Sequence, residues 1–265
     1  MKKSYSLALG GGAAKGLCHI GVLKYIEENN IQINEISGTS MGSIIGACFA
    51  VGITSEEIKN IAKDIKIKKL ADLDFRKGLI KGNKIYKFLE EIFGNLKIED
   101  TKISLKIIAT DLNSGEKVVF VRGKIIDAIR ASISLPMIFS TFDYDKSMFI
   151  DGGFKSNLPI LELDGKNIIA VSAVRDYGRK INTHNRLFNF KFKKLFFGYN
   201  LEIIKKLIII SMCTNEDLTI EIAKNNGKNI ILLAPNLGEF EFHDFEKVGE
   251  LYKKGYEEAV IKLKM

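Results

Sequence analysis

The chain reads as an α/β protein, a mainly parallel β-sheet flanked by helices, and three stretches predict this. "SYSLALGGGAAKGLCHIGVLKYIEENN" runs from a short apolar strand through a glycine turn into a helix over about Lys15 to Asn29. "INEISGTS" and "SMGSIIGACFAVG" repeat the order strand, tight turn, helix. "NIIAVSAV" and "NIILLAP" are continuous apolar runs short enough to be buried strands. Successive strand–turn–helix units build a parallel sheet with helices on its faces. In open sheets of this kind, sites form beyond the carboxyl ends of the strands.

The elements between follow from local signals. Thr54 or Ser55, with Glu57 three residues on from the first, has the form of a helix cap opening "TSEEIKNIAKDI". A helix is expected over Asn83 to Phe93, with Asn83 as its cap. "SLKIIATDL" (Ser104 to Leu112) is a strand, and "EKVVFVRG" is another after the turn residues Asn113-Ser114-Gly115. "KIIDAIRASISL" (Lys124 to Leu135) is a helix stopped by Pro136. "MFIDGG" ends a strand at Ile150, with Asp151 at its carboxyl end before a double-glycine loop. "EKVGELYKKGYEEAVIKLK" is the closing amphipathic helix.

With 265 residues, no Pro/Gly/Ser-rich linker and no internal repeat, one domain over 1–265 is the simplest organisation. No apolar run approaches the ~20 residues of a membrane-spanning helix. The opening "MKKSYSLALGGGAA" has the lysines of a leader, but its apolar core is far shorter than the roughly 7–15 residues a secretory one needs. The start therefore reads as mature protein, and the chain as cytoplasmic. Cys18, Cys48 and Cys213 have no metal-like spacing and fit a reducing compartment. Neither a metal nor a cofactor is expected.

The net charge of +8 is unevenly spread. Between Arg175 and Lys206 nine Lys and Arg residues face only Asp176 and Glu202, a local net of +7. Phe188, Phe190, Phe192, Phe196, Phe197 and Tyr199 are interleaved with them. Cations mixed with aromatic rings suit an anionic membrane surface. Nucleic acid would be drawn by the same charge, and a solvated helix and loop with a core-facing phenylalanine stripe is the plainer alternative.

Three loops follow strand ends and carry the chemistry. The first is Gly10-Gly11-Gly12-Ala13-Ala14-Lys15-Gly16. Glycines at a strand-to-helix turn let the backbone approach a ligand, and helix-start N–H groups can hold a phosphate or an oxyanion. No frame of this loop fits the one-three-six glycine spacing of a dinucleotide fingerprint. The second loop, Gly38-Thr39-Ser40-Met41-Gly42, has the spacing by which hydrolases present a serine nucleophile, with an apolar strand before it and an apolar helix after. The alternative role for Ser40 is a helix N-cap.

A serine hydroxyl needs a base. Asp151-Gly152-Gly153 places a carboxylate at a strand end, among Met148, Phe149, Ile150 and Phe154. An apolar pocket would raise its low intrinsic proton affinity. The alternative is that Asp151 merely bonds the N–H groups of its own turn. Of the three histidines, His19 falls in the first helix and His184 in the basic stretch. His243 in "FEFHDFEK" is the one placed late enough in the chain to serve a triad, beside residues that look like a helix start.

Taken together, Gly11-Gly12-Ala13-Ala14-Lys15-Gly16, Gly38 to Gly42 and Asp151-Gly152-Gly153 resemble the three ordered signatures of the patatin-like phospholipases. The resemblance, to the compact bacterial branch, extends through "KGLCHIGVL", "IIATDLNSGE", "AIRASISLPMIFS", "DGGFKSNLPI" and "APNLGEFEFHDFEKVGELYKKGYEEA". The signatures fall within about 5–160, and strands and helices over 165–265 complete the domain. The resemblance implies a fold related to the α/β hydrolases and a Ser–Asp dyad without histidine, Ser40 as nucleophile and Asp151 as general base. It implies an oxyanion hole from the N–H groups of Gly11, Gly12 and Ala13, with Lys15 in the family's Arg/Lys place and Gly38, Gly42, Gly152 and Gly153 in support. The activity implied is metal-free hydrolysis of acyl esters of phospholipids and other lipids, of phospholipase A, lysophospholipase or esterase type. The chain departs from the family at Ala13, where the glycine triplet has its third glycine, and alanine tolerates a positive φ poorly.

The expectation is a cytoplasmic lipid acyl hydrolase approaching an anionic membrane through Arg175–Lys206, with no nucleic-acid partner. A lipid-binding or regulatory protein without turnover is the rival from another class, and the intact Ser, Asp and glycine loop count against it. Acyl transfer to an alcohol or lysolipid would use the same acyl-enzyme.

Overall fold

The computed structural model describes residues 3–64, 73–74, 79–136, 138–175 and 195–264. Strand β1 (Ser4–Leu9) leads through a 3-10 turn (Ala13–Leu17) into α1 (Cys18–Glu28), and β2 (Gln32–Thr39) leads directly into α2 (Met41–Val51). Helix α3 (Ser55–Asp64) opens on a capping box, because Glu57 Oε2 accepts the Thr54 N–H at 2.8 Å and Thr54 Oγ1 accepts the Glu57 N–H at 3.4 Å. Ser55 turns instead to Glu27, donating its N–H at 3.0 Å.

A short antiparallel pair, β3 (Leu73–Asp74) and β4 (Leu79–Ile80), precedes α4 (Asn83–Phe93). The cap of α4 is Gly82, in the left-handed region at φ 84°, and not Asn83. Its entry angle demands a conformation that glycine adopts without steric cost. Next come β5 (Ser104–Asp111), β6 (Lys117–Phe120) and α5 (Ile125–Ser132). Helix α5 ends short of the expected Leu135. The Ser132 and Ser134 carbonyls leave the helix to accept the N–H groups of Gly152 and Asp151, at 3.4 and 3.0 Å.

The chain continues through β7 (Phe142–Tyr144), β8 (Ser147–Asp151), the single-turn α6 (Gly153–Ser156) and β9 (Asn167–Val171). Helix α7 (Leu195–Asn225), β10 (Asn229–Leu233) and α8 (Val248–Lys262) complete it. Periodicity alone misses α7 because apolar side chains lie on both its faces: Met212, Ile220 and Ala223 are buried while Leu207, Ile210 and Leu218 are exposed. Residues 176–194, the larger part of the basic–aromatic stretch, together with His184, lie outside the described residues.

The sheet order is β10-β9-β1-β2-β5-β8-β7, with β6 also paired to β5. Strands β10, β9, β1, β2 and β5 are parallel, β6 and β8 are antiparallel to β5, and β7 is antiparallel to β8. Alternate residues of β1 and β9 serve two apolar layers. Leu7, Leu9, Ile169 and Val171 join the cluster containing Ile20, Leu23, Ile45 and Leu251, whereas Ala8, Ile168 and Ala170 join Leu158, Ile220 and Ala223. Full burial of each Leu or Ile contributes about 1.5–3 kcal/mol, so both faces of the central strands are pinned and their register with them.

One feature of register places the site. On one edge of β5, Ile108 pairs with Thr39 of β2 and the next residue, Ala109, pairs with Asp151 of β8. The opposite edge is taken by β6, through Ile108↔Val119 and Ala109↔Val118. Strands β2 and β8 therefore share an edge and abut carboxyl end to carboxyl end. Ser40 and Asp151 are the residues that meet there.

Candidate active site

Ser40 occupies the sharp turn between β2 and α2 with φ 52° and ψ −123°, outside the regions L-residues favour. Such a backbone costs on the order of 1–3 kcal/mol and persists when its surroundings over-determine it. Here the Ser40 N–H donates to Ser132 Oγ at 2.8 Å, and the Ser40 carbonyl accepts the Ser43 N–H and hydroxyl at 2.9 and 2.6 Å. The preceding Thr39 hydroxyl donates to the Ser156 carbonyl at 2.7 Å. Both motif glycines are set by space. A Cβ on Gly38 would stand 2.6 Å from the Gly42 carbonyl oxygen, and one on Gly42 would strike the Leu9 carbonyl. Ser40 makes no side-chain cap bond to α2, so its hydroxyl is left for another partner.

Its neighbour is Asp151, whose charged carboxylate the Ser40 side chain favours as a hydrogen-bond donor does. Asp151 is 1% exposed and its Oδ1 accepts the Gly153 N–H at 2.8 Å. Burial pushes its pKa up to about 6, against the lowering effect of these two donors. Desolvation wins because two donors replace less solvation than a carboxylate loses. Gly152 lets the turn lie against β5, since a Cβ there would strike the Ile108 carbonyl. Gly153 is packed under Met212 of α7, whose Cε would be 2.6 Å from an added Cβ.

The glycine loop lies beside Ser40: a Cβ on Gly11 would be 3.2 Å from Ser40 Cβ. Of the three amides expected to face an oxyanion, that of Gly11 is already engaged, donating to the Asn157 carbonyl at 3.2 Å. The N–H groups of Gly12 and Ala13 have no acceptor among the described residues. Ala13 adopts φ 47°, the left-handed conformation a third glycine would take freely. Lys15 is half-buried with its Nζ 5.3 Å from the centre of the Phe242 ring.

His19 is fully buried under this loop, its Nε2 2.8 Å from the Gly10 carbonyl, and burial pushes its pKa down to about 4. It is a neutral, packed side chain that fixes the loop from below. His243 is exposed, and no hydrogen bond joins its ring to Ser40 or Asp151 among the described residues. Among the described residues no cluster of three His, Cys, Asp or Glu side chains is spaced to hold a metal ion.

Three polar residues at the site escape motif reading. Ser132 Oγ accepts the Ser40 N–H. Asn157, fully buried, donates Nδ2 to Glu216 Oε1 at 2.7 Å. Glu216, fully buried on α7, also accepts from Ser172 Oγ at 2.7 Å, and burial raises its pKa. The available signal for Glu216 was a glutamate on the same face as Met212, Ile220 and Ala223 in an otherwise apolar helix, visible only once α7 is recognised. Arg175, the first cation of the basic stretch, faces inward and pairs with Asp217 at 2.5 Å and Glu216 at 3.6 Å.

The fold and site define a protein class, an α/β sheet presenting a serine at a strand-to-helix elbow against a buried aspartate. Within it, residues 7–164 match the patatin-like phospholipases, and the chain belongs to that family. An uncharacterized NTE family protein of Mycobacterium tuberculosis is 35% identical over 173 residues, covering 64% of this chain and 48% of that one. Lysophospholipase NTE1 of Saccharomyces cerevisiae is 27% identical over 270 residues, 96% of this chain and 16% of the yeast protein. The chain thus spans about half or less of these relatives. The crystal structure of VipD from Legionella pneumophila has the same fold, with a TM-score of 0.56 at 14% identity over 98% of this chain and 66% of that one. Among the described residues, no helix is long and apolar enough to cross a membrane.

Proposed function

We propose that this chain is a lipid acyl hydrolase working through a Ser40–Asp151 dyad, with residues 1–265 forming one catalytic domain. The observation that carries the reading is the strained serine at a strand end that abuts a buried carboxylate of raised proton affinity. Ser40 Oγ attacks the acyl carbonyl carbon while its proton passes to Asp151. The oxyanion forms against the Gly12 and Ala13 amides, Gly11 fixing the loop instead of donating. Asp151 returns the proton to the departing alcohol oxygen as the ester bond breaks, leaving the acyl group on Ser40. Water then attacks, Asp151 takes its proton, and Ser40 leaves with that proton restored. A carboxylate with a pKa of about 6 is a better base than an ordinary aspartate and is still mostly ionised at neutral pH.

Lipid as substrate is supported by family membership and by the yeast lysophospholipase. Approach to an anionic membrane rests on the charge of the Arg175–Lys206 stretch, minus Arg175 itself, and on the exposed Leu207, Ile210 and Leu218 of α7. Free Cys18, Cys48 and Cys213 accord with a cytoplasmic setting, at the membrane periphery.

The test is a fluorophosphonate label on wild type and Ser40→Ala, followed by hydrolysis of a phospholipid and lysophospholipid panel. Wild type should label and release fatty acid, and Ser40→Ala should do neither while remaining folded. Near-wild-type turnover in the mutant would remove Ser40 from the mechanism. Lys191, Lys193 and Lys194 to Ala should weaken binding to anionic vesicles, by about 1 kcal/mol for each cation near the surface, with soluble ester hydrolysis spared.

A further inference from the structure

Asn157 touches the glycine loop, the Gly153 turn and α7 through different atoms. Its carbonyl accepts the Gly11 N–H at 3.2 Å, so it sets the direction of the loop whose next two amides are unoccupied. Its N–H donates to Asn215 Oδ1 at 3.2 Å, and Asn215 Nδ2 in turn donates to the Lys155 carbonyl at 2.9 Å, tying α6 to α7. Its side-chain Nδ2 donates to Glu216 Oε1 at 2.7 Å, while Glu216 Oε2 is taken by Ser172 and by Arg175 at 3.6 Å. Its Oδ1 is buried without a partner and is wedged between the two catalytic loops. A Cβ on Gly11 would be 2.7 Å from it and a Cβ on Gly153 2.9 Å from it. Asp151 Oδ1 lies on the same side of Gly153, 3.1 Å from that Cβ position.

Leaving an amide oxygen unpaired in the interior is unfavourable, and burying a carboxylate more so unless it is fully partnered. Turning the amide over would set its oxygen against the Glu216 carboxylate and withdraw the nitrogen that donates to it. Glu216 therefore holds it in the orientation that keeps Oδ1 between Gly11 and Gly153. We infer that Asn157 is a positioning residue for the Ser40–Asp151 pair, keeping the oxyanion loop and the base turn in one register, and that Glu216 of α7 fixes Asn157. The inference rests on the hydrolase reading above. It also gives α7 a task at the site: its inner residues Met212, Asn215 and Glu216 all bear on the Gly153–Asn157 segment.

The experiment uses the full chain, a soluble short-chain ester and a fluorophosphonate to count competent sites, with thermal unfolding recorded for each variant. Asn157→Leu keeps the branched shape and removes both polar atoms, Glu216→Leu removes the acceptor, and Glu216→Gln keeps an acceptor oxygen for Asn157 Nδ2. A loop displaced by even 1 Å costs about 10²-fold, so kcat per labelled site should fall roughly 10- to 100-fold in both leucine variants, with KM within about twofold. Glu216→Gln should recover most of that loss. A purely architectural role would lower the unfolding temperature and the number of labelled sites but leave kcat per site unchanged, and that result overturns the inference. Equal damage from Glu216→Gln and Glu216→Leu overturns the part assigned to Glu216. If the leucine variants do not fold, Asn157→Ser is read by the same criterion. A wild type that neither labels nor turns over sinks the hydrolase reading and this one together, whereas an active wild type with an unimpaired Asn157 variant sinks this one alone.

Discussion

The turn at Ser40 and the turn at Asp151 end abutting strands on one edge of β5, yet they hold unfavourable energy in different forms. At Ser40 the cost is in the backbone, a positive φ enforced by Ser132, Ser43 and two glycines that admit no side chain. At Asp151 the backbone is relaxed, the following Gly152 being at φ −64° and ψ −19°, and the cost is electrostatic, a carboxylate sealed from water. A nucleophile must project from its strand end, which is a matter of geometry. A base must want a proton, which is a matter of solvation. Each turn is strained in the property that its role in the proposed mechanism requires.

The sharpest break of this comparison is Asp151→Asn. It keeps the size of the side chain and an oxygen for the Gly153 N–H but cannot take the Ser40 proton. Turnover should fall by about 10²–10⁴, the usual contribution of a positioned base. His243→Gln, tested beside it on one soluble ester, should keep most activity. A folded but dead His243 variant would replace the dyad with a triad in which Asp151 only orients the imidazole. In wild type, kcat/KM should rise with pH through about 6, the value to which burial lifts Asp151, and level off above it. An acid limb near the ordinary carboxylate value of about 4 would mean that water reaches Asp151.

The same substitution should affect stability in the opposite sense. Because the folded-state pKa of Asp151 is raised from 3.8 to about 6, the folded chain holds this proton more tightly than the unfolded one. Wild-type stability therefore falls as pH rises from about 4 to 6, and the loss is complete above that window. Asp151→Asn carries no such charge. It should be more stable than wild type at pH 8, by about 3 kcal/mol, with the gap closing by pH 4. Denaturant unfolding at the two pH values measures this. A variant less stable at pH 8 would mean that the Ser40 and Gly153 donors outweigh desolvation.

The comparison also explains how much of the site was legible in the sequence. Gly38, Ser40 and Gly42 could be read because steric rules are local: three residues and the periodicity around them define the elbow. Asp151 could be named from its strand and glycines, but its proximity to Ser40 depends on β2 and β8 sharing an edge of β5, a long-range register no local pattern encodes. The antiparallel half of the sheet, the Gly82 cap of α4 and the early end of α5 at Ser132 have the same origin. In each, tertiary hydrogen bonds override the local preference. Glu216 and Asn157 were least visible, since their environment is created by α7 packing on α6, and α7 itself lacks the polar face that betrays a helix.

The smallest expected effect concerns Ala13, where the glycine loop shares the backbone strain of the elbow without sharing its necessity. At φ 47° its Cβ sits in the left-handed region, which costs an L-residue roughly 1–2 kcal/mol. Ala13→Gly removes that cost, but glycine loses about 0.5–1 kcal/mol more conformational entropy on folding. The net should be a gain between zero and about 1 kcal/mol. The Ala13 N–H does not depend on the side chain, so kcat on a soluble ester should stay within about twofold if the loop keeps its path. Both readings come from one preparation, denaturant unfolding for the first and initial rates for the second. A clear loss of stability would show that the Ala13 methyl packs favourably enough to outweigh its backbone strain. A large loss of kcat at unchanged stability would show that alanine, by stiffening the loop, keeps the two unoccupied amides aimed at the site. In that case the departure from a glycine triplet is an adaptation of the oxyanion loop, and strain would be functional at two positions of this backbone rather than one.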